Sequence, residues 1–164
     1  LCYNFSAQES FFNDPKNMEA LHVNTDAVPK WESCNMQVNQ DFKLDWMVNY
    51  QNKLPDMLKD DIDVLIYAGD ADFICNWYGN KAWTLDLDWS GKDEFNAQED
   101  KLFNVNNAAK GELRSANGFT FFRMYEAGHM TPMDHLKQLF KWSILLFMKS
   151  FKILSLFFLQ KLSI

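Results

Sequence analysis

Two short segments contain side chains of the types that carry out acid–base chemistry. GDADFICNW places Asp70 and Asp72 at the end of an apolar run, and YEAGHMTPMD contains His129. An imidazole can take a proton from a serine hydroxyl, while a carboxylate that accepts its other N–H fixes the tautomer and stabilises the imidazolium. An Asp–His pair therefore predicts general-base catalysis, with ordinary solvated turns as the alternative. Spacing favours neither Asp70 nor Asp72, because residues two apart in a strand share a face.

A predicted β-strand precedes each of these segments. Residues 63–69, DVLIYAG, form a nearly non-alternating apolar run, which is typical of a strand buried on both faces of a parallel sheet. Residues 119–128, FTFFRMYEAG, form the second predicted strand, which stops at His129. Open sheets place active sites at the carboxyl ends of their strands. An acid after one strand and a histidine after a later one resembles the chain order of α/β-hydrolases, in which the nucleophilic serine comes first.

Helices are predicted around these strands. The pair Asp14-Pro15 indicates a helix start, with the aspartate as its cap. Apolar residues that recur every four positions over residues 46–58 predict a second helix, which Pro55 breaks or restarts. Residues 77–87 predict a third helix, and the polar, turn-rich residues 88–118 predict exposed connections.

The composition suits a globular domain and argues against two classes of partner. The 164 residues are 48 % hydrophobic and 23 % charged, and their net charge is −6 without a basic run. Nucleic acid is therefore not expected, because phosphate binding needs clustered Lys and Arg. Residues 140–164 are strongly apolar, but Lys149 and Lys152 lie inside this stretch, and each costs about 2.5–3.5 kcal/mol at the centre of a membrane helix. A membrane partner is not expected either.

The three cysteines do not form a metal-binding pattern. Cys2, Cys34 and Cys75 are an odd number for disulfide pairing. None of them lies at metal-ligand spacing from another cysteine or from a histidine, so a metal site is not expected. Asn4 begins the N-glycosylation sequon Asn-Phe-Ser, which matters only in a secretory protein. Composition alone leaves the compartment open.

The segments quoted above resemble a known family. VLIYAGDADFICNWYGNKAW and GHMTPMD, together with WESCNMQVNQDF and FNDPKNMEAL, are similar to the serine carboxypeptidases of the carboxypeptidase Y type. The resemblance runs from Cys2 to Asp134 in the order and spacing of the family. It implies that residues 1–134 are the C-terminal part of an α/β-hydrolase domain, which is incomplete here. Residues 135–164 form an apolar tail that does not match the family.

The resemblance also implies roles for individual residues. Asp72 matches the acid and His129 the base of a Ser-Asp-His triad, whereas Asp70 matches a structural turn residue. Cys75 and Met130 match residues that line the substrate pocket, so an accessible thiol is expected at Cys75. An inert buried cysteine and a methionine that only packs are the alternatives. We expect the Asp72 carboxylate and the His129 ring to lie within about 2.6–3.2 Å of each other.

One part of this machinery is missing from the sequence. No serine stands in a G-x-S-x-G pattern, and the nucleophile of the family lies in an N-terminal half that these residues do not include. The chain begins at Leu1 and has its first methionine at Met18, so a fragment or a processed product is expected. The resemblance implies a serine-type carboxypeptidase that releases C-terminal residues from peptides through an acyl-enzyme intermediate. This chain alone should be inactive, because an Asp–His pair without a nucleophile has nothing to activate.

The family also indicates partners and a location. Some members consist of two disulfide-linked chains, which makes Cys34 a candidate link to an N-terminal chain of the same enzyme. The expected location is the vacuole, the lysosome or the extracellular space, with glycosylation, and neither a metal ion nor an organic cofactor is implied. Two other functions stay open, namely a truncated homologue without catalysis and an acyltransferase that uses the same triad on small alcohols.

Overall fold

The computed structural model describes residues 4–135, and the chain divides into two units. The first unit is Leu1–Asn49 and the second is Tyr50–Ile164. The candidate catalytic residues Asp72 and His129 both belong to the second unit, whereas Cys34 belongs to the first.

The first unit consists of short helices joined by irregular segments. Asp14 caps the second helix as predicted, because its Oδ1 accepts the Lys16 N–H at 2.8 Å. Asn35 caps the third helix in the same way, by accepting the N–H groups of Gln37 and Val38. Met18 is the single buried hydrophobic side chain among the described residues of this unit. The helices are α1 (Ser6–Phe12), α2 (Pro15–Ala20) and α3 (Met36–Asp41), and a 3₁₀ turn follows at Phe42–Leu44.

The second unit is a four-stranded mixed sheet with flanking helices. The strand order is β1-β4-β3-β2, in which β1 and β4 run parallel and the other neighbours run antiparallel. The strands are β1 (Val64–Gly69), β2 (Lys101–Val105), β3 (Ala108–Ala116) and β4 (Phe119–Met124). A 3₁₀ turn lies at Tyr50–Lys53, and the helices are α4 (Leu54–Lys59), α5 (Trp77–Asp86), α6 (Lys92–Ala97) and α7 (Thr131–Asp134).

The parallel pairing of β1 with β4 confirms the predicted parallel strands, but β1 is not buried on both faces, since it ends the strand order and its Tyr67 is 41 % exposed. Gly69 pairs with Met124, so the two strands end side by side. Successive residues of β4 serve two separate clusters of buried side chains, because side chains alternate between the faces of a strand. Its residues Phe119 and Phe121 join Val64, Leu87 and Phe95 in one cluster, while Phe122 and Met124 join Phe103 and Ala127 in the other. Burial on both faces explains why four of the six residues of β4 are large and apolar, with Thr120 and Arg123 as the exceptions.

The prediction of exposed connections over residues 88–118 is wrong. This stretch contains α6 and the strands β2 and β3, which form an antiparallel hairpin. The hairpin turn is Asn106-Asn107, with φ of 52° and 62°, and the next turn is Asn117-Gly118, with φ of 47° and 79°. Two successive positive φ values favour the turn whose twist matches that of paired strands, and Asn and Gly tolerate them. The Asn and Gly residues at these turns indicate antiparallel strands on either side of them, but the polar composition of the stretch favoured exposed connections instead.

The predicted helix over residues 46–58 is only partly present. Trp46 lies outside any helix and is 58 % exposed, and the regular structure consists of the 3₁₀ turn and α4. Pro55 does restart a helix as predicted, because it occupies the first turn of α4. Apolar residues at every fourth position do not form a helix where their side chains stay exposed, as that of Trp46 does. Tertiary packing supplies most of the stability of a helix.

An ion-pair network joins α5 to β3. Asp100 accepts hydrogen bonds from Lys81 of α5 and from Nε of Arg114 of β3, the latter at 2.9 Å. Burial of Asp100 raises the pKa of its carboxyl, but the hydrogen bonds and charges of Lys81 and Arg114 outweigh that effect and hold the pKa below its usual value. The network therefore stabilises the folded state most when Asp100 is ionised.

No helix within residues 4–135 has the length and apolar character that crossing a membrane requires. The apolar tail predicted for residues 135–164 lies, from residue 136 onward, outside the described residues.

Candidate active site

The turn after β1 fixes the orientation of Asp72. The Asp70 N–H donates to the Met124 carbonyl at 2.9 Å, which continues the pairing with β4 beyond the end of the strand. Asp72 Oδ1 then accepts the N–H groups of Ile74 and Cys75 at 3.0 and 3.1 Å. A short acidic side chain that bonds backbone N–H groups two and three residues later closes a tight turn. Only the second oxygen, Oδ2, is left to face another group.

The segment after β4 places His129. Glu126 has a φ of 58°, so the chain reverses sharply two residues after the strand ends. Beyond it, Asp134 accepts the Gly128 N–H at 2.8 Å, and the Thr131 hydroxyl donates to the Gly128 carbonyl at 3.0 Å. These two bonds tie the residue before His129 to α7 and hold the backbone of the histidine in place.

Gly69 allows the two segments to meet. A Cβ at this position would lie 2.2 Å from the Ala127 carbonyl oxygen and 2.6 Å from that of Gly128. The Ala71 N–H also donates to the Ala127 carbonyl at 2.9 Å, so the segment after β4 crosses directly over the end of β1. Only a glycine permits such a close approach of two backbones. The glycine before Asp70 was visible in the sequence, but its role depends on a crossing that the sequence does not specify.

The structure brings Asp72 and His129 together. Asp72 Oδ2 lies 2.9 Å from His129 Nδ1, within the expected range. The Asp72 side chain is 6 % exposed, whereas the His129 ring is 55 % exposed. Because a carboxylate accepts at Nδ1, the neutral ring carries its proton on that nitrogen and its lone pair on Nε2. The arrangement can therefore remove a proton from a group placed at Nε2 and stabilise the charge that results.

The surroundings of Asp72 keep its carboxyl ionised. Burial raises the pKa of this carboxyl, but the hydrogen bond from His129 and the N–H groups of Cys75 and Ile74 lower it further than burial raises it. The net effect is a pKa below the usual value. The carboxylate is therefore negative at any pH at which an imidazole can act as a base.

Asp70 has a different role from Asp72. Its Oδ1 accepts the Glu126 N–H at 2.8 Å, which stabilises the reversal that leads to the histidine. Its other oxygen lies 3.6 Å from the Arg123 guanidinium, which stacks on the Trp77 ring at 3.8 Å and is close to Tyr125, at 5.2 Å from the ring centre. Asp70 thus joins the two segments through the backbone and an ion pair, which agrees with a structural turn residue.

The other predicted site residues lie close to the pair. Cys75 is a free, exposed thiol, so the thiol is accessible as expected, and Met130 is half-buried. One ligand atom from each of Asp72, Cys75 and His129 lies within 4.8 Å of the others. Sequence spacing missed this cluster, because the turn after β1 and the segment after β4 converge only in the fold. Cys34 is a free, exposed cysteine of the first unit, and Cys2 lies outside the described residues.

Comparison with known proteins places the chain in a family. The family model described as serine carboxypeptidase matches residues 1–145. The chain is 44 % identical over 139 residues to carboxypeptidase Y homolog A of Chaetomium globosum, covering 82 % of this chain and 24 % of that protein. It is 42 % identical over 137 residues to serine carboxypeptidase 3 of Oryza sativa subsp. japonica, covering 84 % of this chain and 27 % of that one. The chain thus spans about a quarter of the length of the curated relatives it matches.

A solved structure shares the fold. It is the crystal structure of Kex1(delta)p, a prohormone-processing carboxypeptidase from Saccharomyces cerevisiae, with a TM-score of 0.62 and 26 % identity. The match covers 83 % of this chain and 29 % of that one. The mixed sheet with flanking helices is thus part of an α/β-hydrolase fold, and the chain belongs to the serine carboxypeptidase family.

Proposed function

We propose that this chain supplies the acid and the base of a Ser-Asp-His triad in a serine-type carboxypeptidase, with Asp72 as the acid and His129 as the base. The observation that carries the proposal is the 2.9 Å contact between Asp72 Oδ2 and His129 Nδ1, made by a carboxylate whose other oxygen is already held by two N–H groups. Such a carboxylate cannot rotate away from the ring without losing those bonds. It therefore sets the histidine tautomer that a general base needs.

The proposed reaction releases C-terminal residues from peptides. His129 Nε2 takes the proton of a serine hydroxyl as its oxygen attacks the scissile carbonyl, and Asp72 stabilises the imidazolium. The ring then returns the proton to the leaving amine, which departs as the released amino acid and leaves an acyl-serine. Water attacks this ester with the same ring as base, and the serine is restored. Cys75 and Met130 would line the pocket beside the reacting bond.

The serine would come from the N-terminal portion of the enzyme, because no G-x-S-x-G pattern occurs in these 164 residues. This chain alone should therefore be inactive. The exposed thiol of Cys34 supports a disulfide to such an N-terminal chain. Asn4 of the glycosylation sequon is exposed as well, which fits a glycoprotein that is vacuolar, lysosomal or secreted.

A chimera tests the proposed triad. Residues 1–135 would replace the matching segment of carboxypeptidase Y homolog A from Neurospora crassa, which is 45 % identical to this chain over 139 residues. Cleavage of an N-blocked dipeptide is measured for the chimera and for D72N and H129A. We expect each substitution to lower kcat by about 10⁴-fold or more, because the base is lost or held in the wrong tautomer.

His22→Asn serves as the control, since His22 is exposed in the first unit and asparagine tolerates its φ of 55°. Its activity should equal that of the unsubstituted chimera. A chimera that folds, as judged by thermal unfolding, but cleaves no peptide would contradict the carboxypeptidase proposal. Transfer of the acyl group from a glucose ester to an alcohol without peptide cleavage would instead favour the acyltransferase.

A further inference from the structure

Three different metal-ligand types converge beside the proposed catalytic pair. Asp72, Cys75 and His129 offer a carboxylate oxygen, a thiol sulfur and a ring nitrogen, and these three atoms all lie within 4.8 Å of one another. Among residues 4–135 this is the one group of three His, Cys, Asp or Glu side chains with such a spacing. The described part of the chain thus has a single place where a chelate of three ligands can form.

The backbone fixes two of the ligands relative to each other. The Cys75 N–H donates to Asp72 Oδ1, so the turn that orients the carboxylate also holds the cysteine next to it. His129 approaches from the other segment, with Nδ1 2.9 Å from Oδ2. Tetrahedral zinc has bonds of about 2.0–2.3 Å, which places neighbouring ligand atoms roughly 3.3–3.8 Å apart. The exposed side chains of Cys75 and His129 can reach that spacing by small rotations.

The ligand set selects the kind of cation. A thiolate and an imidazole suit zinc and related borderline-soft ions, whereas calcium and magnesium prefer sets made entirely of oxygen ligands. Three protein ligands fill all but one position of a tetrahedral ion and leave the last one open to water.

We infer that Asp72, Cys75 and His129 bind a zinc-type divalent cation, and that the bound cation blocks the catalytic pair. The ion takes Asp72 Oδ2 and His129 Nδ1 as ligands, so the ring proton moves from Nδ1 to Nε2, and the Cys75 thiol loses its proton to solvent when the ion binds. A ring that donates its lone pair to a metal, or that no longer contacts its carboxylate, cannot serve as the general base. The effect on catalysis rests on the proposed function, whereas cation binding does not.

Cobalt(II) is the probe for binding, because its absorption reports both the coordination and a bond to sulfur. The 164-residue chain is titrated with Co²⁺, and we expect tetrahedral d–d bands together with a thiolate-to-cobalt charge-transfer band. Cys75→Ser should abolish the charge-transfer band, while Cys34→Ser, which removes the exposed thiol of the first unit, should keep it. Addition of Zn²⁺ should displace cobalt and remove the bands. Far-ultraviolet circular dichroism shows whether each variant is folded.

A second measurement needs no variant. Alkylation of the unsubstituted chain by iodoacetamide, followed by mass spectrometry, should show that Zn²⁺ protects Cys75 at least tenfold relative to Cys34. Equal protection of both cysteines, or a charge-transfer band that survives in folded Cys75→Ser, would overturn the inference. In the chimera, Zn²⁺ should inhibit peptide cleavage. A chimera that is active but indifferent to Zn²⁺ rejects this inference alone, whereas an inactive chimera whose cobalt bands are intact rejects the proposed function alone.

Discussion

The two units of the chain differ in what they bury. In the second unit, ten hydrophobic side chains from Val64 to Ala127 are buried, whereas Met18 alone is buried among the described residues of the first. Both units leave some large apolar side chains in contact with solvent, such as Leu44 at 92 % exposure in the first and Phe73 at 93 % in the second, so the difference lies in the buried set. Because burial of apolar surface supplies most of the free energy of folding, the second unit holds nearly all the stability that the described residues provide. The proposed catalytic pair thus lies in the unit whose described residues form a core.

The largest change in stability is expected when an aromatic ring is removed from the core of the second unit. Phe95 is completely buried. The centre of its ring lies 5.0 Å from that of Phe119 and 6.5 Å from that of Trp89. Phe95→Ala should lower the free energy of unfolding of the second unit by about 3–5 kcal/mol, because it leaves a cavity. Phe42→Ala, at a ring that is 53 % exposed in the first unit, should change it by less than about 0.5 kcal/mol.

Hydrogen exchange with mass spectrometry measures both substitutions, since it reports opening separately for peptides of each unit. Amides of β1 and β4 should exchange more slowly than amides of α1 and α3 in the unsubstituted chain. Equal exchange in the two units would contradict the comparison between them.

A smaller effect is expected where the two segments of the site cross. Gly69→Ala forces a Cβ against the Ala127 and Gly128 carbonyls. Because such overpacking is destabilising, the free energy of unfolding should fall by about 1–3 kcal/mol. The displaced segment should also weaken the contact between Asp72 and His129, which the proton resonance of the His129 Nδ1–H would report. Gly79→Ala is the matched control, because its Cβ would meet only the Asn76 side chain, at 3.4 Å. Because glycine is unfavourable inside a helix such as α5, Gly79→Ala should raise the free energy of unfolding by roughly 0.5–1 kcal/mol.

The smallest effect concerns pH. The pKa values of Asp72 and Asp100 are lowered in the folded state, so their contribution to stability is present above the unfolded pKa, near 4, and is lost as the pH falls through the folded values. Urea unfolding of the second unit should therefore require less urea below about pH 4. Asp100→Asn should flatten this dependence, whereas Asp86→Asn, at a side chain that is 90 % exposed, should leave it unchanged. An identical pH slope in both variants would rule out the Asp100 network as a source.

The parts of the fold that the sequence predicted are those with strong local signals. The β1 strand followed from an unbroken apolar run, and the Asp14 cap followed from a short polar residue before proline. The β2–β3 hairpin was missed because its strands carry polar side chains, and half-exposed strands look like loops when judged by polarity. Its turn at Asn106-Asn107 was the better signal.

The contact between Asp72 and His129 was predicted from the resemblance, but the backbone arrangement that makes this contact was not. The resemblance distinguished Asp72 from Asp70, which spacing could not do, and the turn geometry gives the physical reason for the difference. Asp72 Oδ1 is held by N–H groups that follow it, whereas Asp70 accepts an N–H from the opposite segment. The approach of Cys75 to His129 was beyond sequence reasoning, because it depends on where two loops from distant parts of the chain converge.

The stacking of Arg123 on Trp77 has a consequence for behaviour in acid. Arg123 is the next-to-last residue of β4 and Trp77 is the first residue of α5, so this contact joins the strand before His129 to the helix after Asp72. A guanidinium stays charged whatever the medium, and its stacking on the indole is separate from the ion pairs that Arg123 makes with Asp70 and Glu112. Protonation of the nearby acids would therefore loosen their ion pairs while this contact holds, so β4 and α5 would stay joined beside the imidazole at acidic pH.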